Sequence, residues 1–411
     1  MRIVLFLACF FPLLSSATTP VQREIERTAI LFFLDSAHPV SGLVLDKAPN
    51  FRATPTSNRV ASIASTGFGL AVLANAAKRN LIDRDQAEQQ ILKTLEFAQA
   101  HVPRLRGWFL HWVDWETGER AWKSEYSPID TALFMAGALY AAQIFPHGRI
   151  DQITRELYRD MDFHFFMTNN GKKPHKKTLS LSYTHEKGFA PYEWEIYAEQ
   201  HILLLLGLAH PSRPLPVAAW TGWRRFNSVR AFFTGIMGYE MPIFVHQYSQ
   251  VFVDFRGFND GPGDYFQNGV RATQVHRDML KSARNYKTFA AGFWGVSAGE
   301  DPEGYKVYDP TKYQGTVCIG CTLASAMYLP SEVAQDATQW MNGAYRGKIW
   351  GRYGFVDSIN LDRNWFSQNV LGITVGPAFL SFANTKTETS IWQDFMRIPE
   401  IKLALKRAKD E

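Results

Sequence analysis

Three groups of carboxylates stand among aromatic and apolar residues in a way that suits acid–base chemistry. The first is Pro191-Tyr192-Glu193-Trp194-Glu195-Ile196-Tyr197-Ala198-Glu199, which leads straight into the apolar run 202–206. Read as part of a buried helix over 191–208, it places Glu195 and Glu199 four apart on one face. Glu199 lies one turn before a wholly apolar stretch, so burial should desolvate it and raise its pKa, as a general acid at neutral pH requires. The plainer reading is that these glutamates decorate a helix start and favour its dipole. That account suffices for Glu193 and Glu195 and serves Glu199, deeper in, less well.

The second group is Glu125 and Asp130 in Ser124-Glu125-Tyr126-Ser127-Pro128-Ile129-Asp130-Thr131. Ser127-x-x-Asp130 reads as a capping box with proline at the first helical position. A cap and a place in a cleft are compatible, because a helix start can face the cleft. The third is Asp357 in Arg352-Tyr353-Gly354-Phe355-Val356-Asp357-Ser358, where turn chemistry alone could explain an aspartate. Around these lie His246-Gln247-Tyr248-Ser249, Asp254-Phe255-Arg256-Gly257, Phe293-Trp294-Gly295 and Gly107-Trp108-Phe109-Leu110-His111-Trp112. Each joins hydrogen-bonding groups to aromatic faces, as a sugar site does, although core packing is the ordinary use of any one of them. The sequence has no Walker loop, dinucleotide fingerprint or His-x-x-x-His pair.

The elements that must position these groups are helices. The 411 residues are 46% apolar and 20% charged, enough for a large core, and a net charge of +5 argues against nucleic acid as a partner. There are 12 Trp, 16 Tyr and 30 Phe, a surplus that suits stacking on sugar rings as well as packing. Apolar, enclosed helices are predicted around 66–78, 128–144 and 191–208, alternating with amphipathic ones from 83, from 151 to 166 and over 214–230. Further helices follow at 266–286, 321–328, 331–345 and 376–396. A helix apolar all round must be enclosed, and an amphipathic one covers it from the solvent side. Repeated about six times, the pair gives an all-α (α/α)6 toroid, with residues 18–411 forming a single domain.

Residues 1–17 read as a secretory signal peptide, with Arg2 before an apolar stretch and Ser15-Ser16-Ala17 at the cleavage position. The mature chain is then periplasmic or secreted, without a membrane span; lipid attachment through Cys9 is the alternative. Export leaves Cys318 and Cys321, whose spacing fits a structural disulfide better than a redox pair in a thioredoxin-like setting. The loop 171–177 reads as a solvated insertion, with contact to a polysaccharide or an anionic surface as the other possibility.

These motifs resemble the glucoamylase-like domain of the bacterial β-1,2-glucanases of glycoside hydrolase family 144 and their relatives. The resemblance runs through Ser65-Thr66-Gly67-Phe68-Gly69-Leu70, Arg106-Gly107-Trp108-Phe109, Ser127-Pro128-Ile129-Asp130-Thr131 and Leu208-Ala209-His210-Pro211-Ser212-Arg213-Pro214. It continues through His246-Gln247-Tyr248-Ser249, Arg271-Ala272-Thr273, Tyr353-Gly354-Phe355-Val356-Asp357 and Phe395-Met396-Arg397-Ile398-Pro399. It implies the toroid and anomer-inverting hydrolysis of β-1,2-glucan, with no metal or cofactor. By position, Glu199 matches the general acid, Asp357 an aspartate that acts on water through a relay, and Asp130 a cleft aspartate. The sequence departs from the family at Gly299-Glu300-Asp301, at Gln250, at Thr374-Val375 and in the 318–321 cysteine pair.

The leading expectation is therefore an inverting glycoside hydrolase on a β-glucan polysaccharide or oligosaccharide, working as a monomer. Its catalytic residues are Glu199, Asp357 and Asp130. Trp108, Trp112, Tyr248 and Trp294 are the expected platforms, and His246, Arg256 and Arg271 the polar partners. His111, Glu125, Glu195, Gln247, Asp254 and Glu300 complete the expected binding set. Two alternatives stand beside it. One is a polysaccharide lyase with Tyr248 or His246 as base and Arg256 on a uronate; the other is a non-catalytic periplasmic glycan-binding protein.

Overall fold

The computed structural model describes residues 19–167, 172–173 and 177–409. The expected leader 1–17, Cys9 within it, and most of the 171–177 loop lie outside the described residues.

The chain is helix-rich, and its centre is built where composition leaves a helix no solvent face. Ile63–Lys78 is buried from Ile63 to Ala77, and Pro128–Ile144 is buried along nearly all its length. The two lie backbone against backbone. A Cβ on Gly137 would collide with the carbonyl of Gly67, and one on Gly67 with the Cα of Phe134, so only glycine permits the approach. Gly372–Asn384 packs on Ile63–Lys78, His201–Leu208 packs on Pro128–Ile144, and Ile319–Leu323 packs on Gly372–Asn384. Amphipathic helices coat this centre. Pro20–Asp35, started by a Thr19/Gln22 capping box, lies over Gly372–Asn384. Arg84–His101 and Arg149–Arg159 lie over Ile63–Lys78 and Pro128–Ile144 respectively, and Pro399–Lys409 over His201–Leu208.

Several predicted helices are shorter than their apolar runs. The 151–166 segment breaks into Arg149–Arg159 and Phe163–Met167, the 376–396 segment into Gly372–Asn384 and Ile391–Phe395, and 214–230 holds only Ala218–Thr221 and the start of Val229–Thr234. The largest correction concerns 191–208, where only His201–Leu208 is helical. Upstream, backbone groups are bonded to other parts of the chain: the Trp194 N–H donates to the Leu179 carbonyl, the Leu181 N–H to Tyr192 and the Arg224 N–H to Glu195. Tertiary hydrogen bonds have replaced the i→i−4 ladder, so Glu195 and Glu199 share no helix face.

The enclosed helices begin at one common end. There the Ile63 N–H donates to the His111 carbonyl, Gly372 N–H to Asp46, and Ile319 N–H to Asp357. Short strands finish that end: Val60–Ser62 with Trp112–Asp114, Lys47–Pro49 with Asn369–Leu371, and the hairpin Ala298–Asp301 with Gly304–Val307. A three-stranded sheet of Val317–Cys318, Ser358–Asn360 and Trp365–Phe366 completes it. The opposite end is closed by Lys78 on Asp394 at 2.6 Å, Asn75 on Tyr140 at 2.9 Å and Asn384 on the Val251 carbonyl at 2.9 Å. Cys318 and Cys321 are joined as a buried disulfide, Cα–Cα 5.3 Å, across the first turn of Ile319–Leu323. Among the described residues no helix is long and apolar enough to cross a membrane.

Candidate active site

Acidic side chains gather where the enclosed helices start. Glu199 sits in the turn before His201–Leu208. The Ser249 hydroxyl fixes that turn, donating to the Glu199 carbonyl at 2.6 Å and accepting the Ile202 N–H at 2.9 Å. Burial pushes the Glu199 carboxyl up to about 7, and the nearby charge of Asp130 adds to the rise. Asp130 begins Pro128–Ile144 in the expected cap: its N–H donates to Ser127 Oγ at 3.2 Å and its carboxylate accepts the Ser127 hydroxyl. Burial raises Asp130 as well, against the opposing pull of His111.

His111 links two of the acids, with Nδ1 2.8 Å from Glu125 Oε1 and Nε2 3.6 Å from Asp130 Oδ1. Burial alone would lower its pKa, but Asp130, Glu125 and Asp46 together outweigh burial and raise it. The same pairing holds Glu125 below its ordinary value although burial opposes this. Trp112 stacks on His111 with ring centroids 3.4 Å apart, and its Nε1 donates to Asp46 Oδ1 at 3.3 Å.

Asp357 lies across this cluster, almost wholly buried, with both oxygens engaged. Oδ2 accepts the Glu300 N–H and the Ser358 hydroxyl, each at 2.8 Å, and Oδ1 accepts the Thr374 hydroxyl at 3.1 Å. Burial pushes its carboxyl up to about 6 despite these donors. A Cβ on Gly299 would come within 2.8 Å of Asp357 Oδ2, so glycine lets the Ala298–Asp301 strand reach the carboxylate. The Glu300 side chain points elsewhere, to Lys47 Nζ at 2.8 Å, Asn369 Nδ2 at 2.9 Å and Ser367 Oγ at 2.5 Å. Tyr248 donates to the Ile373 carbonyl at 3.0 Å. Burial raises the Tyr248 and Tyr305 hydroxyls, although the Tyr305 side chain is 54% exposed, and Glu199, Asp130 and Asp357 are among the charges that raise both.

Glu199, Asp130, Asp357, His111, Trp112, Glu125, Tyr248 and Glu300 thus come together, and the remaining expected residues do not. Trp108 is fully buried, edge-on to Phe163 and Phe166, with Nε1 on the Asp162 carbonyl; it packs the core and offers no platform. Trp294 is likewise buried, its Nε1 2.8 Å from Asp336 Oδ2. His246 is buried against the Tyr197 hydroxyl at 3.2 Å, and burial lowers it to about 4. Gln247 is spent on the Cys321 carbonyl and Ser325. Arg256 pairs with Asp254 at 2.7 Å over the face of Trp392, whose backbone N–H bonds Asn384 at the far end of Gly372–Asn384. Ten residues of helix, about 15 Å, separate that end from Thr374, which bonds Asp357. Arg256 therefore cannot neutralise a substrate acid at this centre, which removes the basis of the lyase reading. Arg271 is exposed on Tyr265–Ser282 beside Thr234 and Ile236, and Glu195 is exposed on the non-helical segment.

Asp46, Lys47 and Tyr305 belong to the site and escaped the sequence reading. They lie on or beside strands of three or four residues, and no local pattern marks them. Among the described residues no group of three or more His, Cys, Asp or Glu is placed to hold a metal ion. Chemically, the centre offers one carboxyl that keeps its proton up to about pH 7 and a second that ionises near 6, a division of labour suited to paired acid and base.

The family model Glycoamylase, described as "putative glucoamylase", matches residues 191–399. An exo β-1,2-glucooligosaccharide sophorohydrolase acting at the non-reducing end, from Parabacteroides distasonis, is 21% identical over 444 aligned positions. That alignment covers 96% of this chain and 59% of the relative, so the chain spans about three fifths of that protein's length. Two solved structures share the fold. The endo-β-1,2-glucanase of Chitinophaga pinensis, in complex with sophorotriose and glucose, superposes with a TM-score of 0.83 at 24% identity, covering 95% of this chain and 98% of the other. A β-1,2-glucanase of Parabacteroides distasonis gives 0.84 at 19% identity, covering 95% and 60%.

Proposed function

The chain belongs to the Glycoamylase family, and on that premise we propose that it is an exported, anomer-inverting glycoside hydrolase acting on β-glucan, with β-1,2-linked glucan or its oligosaccharides as substrate. The observation that carries this reading is the pair Glu199 and Asp357. Both carboxyls are raised by burial, and both sit with Asp130 at the end where the enclosed helices start. The activities of the relatives support the substrate class. We read the enclosed and coating helices as an (α/α)6 toroid and residues 18–411 as one monomeric domain, and the leader as the signal for export.

In this reading Glu199 is the general acid. Its proton passes to the glycosidic oxygen as the bond from that oxygen to the anomeric carbon breaks. Water forms the new bond to the anomeric carbon from the opposite face, which inverts the anomer, and gives up a proton. Asp357 is the first base. Its oxygens already accept from the Glu300 N–H, Ser358 and Thr374, so it would take the proton through a hydroxyl neighbour rather than touch the water. Asp130, held by Ser127 and facing His111, is the second candidate. Trp112 and Tyr248 are read as walls for the sugar.

The test is incubation of the mature protein with linear β-1,2-glucan and a panel of β-1,3-, β-1,4- and β-1,6-glucans. Products are sized, and the first-formed anomer is read by NMR. Saturated products of inverted anomer from the β-1,2-linked polymer are expected. Unsaturated products, retained configuration or no turnover would each overturn the proposal.

A further inference from the structure

Trp122 is held in a way that the fold does not explain. It is the only one of the 12 tryptophans that is exposed, at 68%, while the others are buried or half-buried. Its backbone has φ +50, in the left-handed region where glycine is at ease and a tryptophan is not. The turn is firm. The Ser124 N–H donates to the Ala121 carbonyl at 3.2 Å, and the Ala121 N–H to the Trp112 carbonyl at 3.2 Å. The Arg120 guanidinium donates to the Ser124 carbonyl at 2.6 Å and pairs with Glu186. A large apolar ring is thus presented to solvent from a backbone position that disfavours it, and such combinations cluster at ligand sites.

The ring also stands in line with the acidic centre. Its centroid is 5.4 Å from that of Trp112, at 66°, and Trp112 lies face to face on His111, which reaches Asp130. Aromatic surface therefore runs outward without a break from the carboxylates to the rim.

We infer that Trp122, braced by Trp112, forms an outer subsite that stacks on a pyranose ring of the glucan away from the bond being cleaved. This inference rests on the hydrolase reading above. Chain length then enters the specificity: a substrate long enough to reach Trp122 gains a contact that a shorter one lacks.

The experiment compares wild type, Trp122→Ala and Trp122→Gly on β-1,2-linked oligosaccharides of increasing length and on the polymer. Trp122→Gly suits the turn, so it removes the ring while easing the backbone and should melt no lower than Trp122→Ala. Both variants are expected to lose about tenfold in kcat/KM on long substrates, mainly through KM, and less than about twofold on the shortest one cleaved. Wild-type behaviour at every length, or an equal loss at every length, would overturn the subsite. Calorimetric titration of the same proteins with β-1,2-glucan decides the point without turnover. If wild type binds the glucan but cleaves none, the hydrolase reading fails while weaker binding by Trp122→Gly still supports the subsite; equal binding by the two, or none by wild type, overturns it.

Discussion

Glu199→Gln separates the electrostatics of the site from any assumption about substrate. In the folded chain burial moves this carboxyl from an ordinary 4.5 to about 7. Between those values the unfolded chain has released its proton while the folded chain keeps it. Stability therefore falls as pH climbs through that window and stays lower above it. Each pKa unit is worth about 1.4 kcal/mol, so ionised Glu199 costs the folded state roughly 3 kcal/mol at pH 8 and almost nothing at pH 4. Glu199 keeps some contact with solvent, which trims the figure to about 2–3 kcal/mol. Glutamine keeps the shape and cannot ionise. The variant should therefore be more stable than wild type by that amount at pH 8, about 2–4 °C in melting temperature for a chain of this size, and equal to it at pH 4. Thermal and urea unfolding at pH 4, 6 and 8, without substrate, measures this directly. A gain that does not change with pH, or a loss at pH 8, would refute the argument that burial controls this group. Turnover tests the second half. Loss of general-acid help should cost about 100- to 10,000-fold while glucan binding survives. Stabilisation at pH 8 with near-normal turnover would leave the burial intact and remove the catalytic role.

The pH–rate profile should be a narrow bell, rising as Asp357 ionises near 6 and falling as Glu199 loses its proton near 7; a plateau extending well above pH 8 would contradict it. Replacing both Cys318 and Cys321 with alanine should lower stability by about 2 kcal/mol, the entropy of so short a loop, as read by urea unfolding. Turnover should fall as well, because the Ile319 N–H bonds the Asp357 carbonyl and Cys318 pairs with Ser358. Trp108→Ala should cost about 3–5 kcal/mol in stability with KM little changed in the surviving folded enzyme, since the ring is packed in the core; a selective rise in KM would restore it as a platform.

What could be read from the sequence divides along the range of the forces involved. Ile63–Lys78 and Pro128–Ile144 are legible because almost every residue in them is apolar or small, and enclosure is the only stable outcome. Glu199 and Asp130 are legible for local reasons as well, one before an apolar run and the other in a capping box. The 191–200 segment is misread because its neighbours 179–181 and 224 claim its backbone groups, and periodicity carries no trace of partners brought in by the fold. Trp108 and Trp294 look like platforms since composition cannot tell a buried ring from an exposed one. Trp122, the exposed ring, carries no local mark at all.

The departures at 299–301 and 374–375 take on a physical meaning once the wall around Asp357 is seen as a unit. The sequence places Glu300 in the expected binding set, yet its carboxylate is tied to Lys47, Asn369 and Ser367, and what it gives the site is its backbone N–H. Asp301 is likewise taken by the Tyr308 and Thr316 hydroxyls at 3.0 and 2.6 Å. Thr374 supplies the third donor to Asp357 from the first turn of Gly372–Asn384. Asp357 is thus held by its chain neighbour and, from elements distant in sequence, by a strand N–H and a helix hydroxyl. Such a carboxylate is fixed in direction, with the Ser358 and Thr374 hydroxyls already in contact with it. Changes in this wall therefore act on how Asp357 is held and, in the proposed mechanism, on which hydroxyl would relay for it, while Glu199 sits on a separate turn.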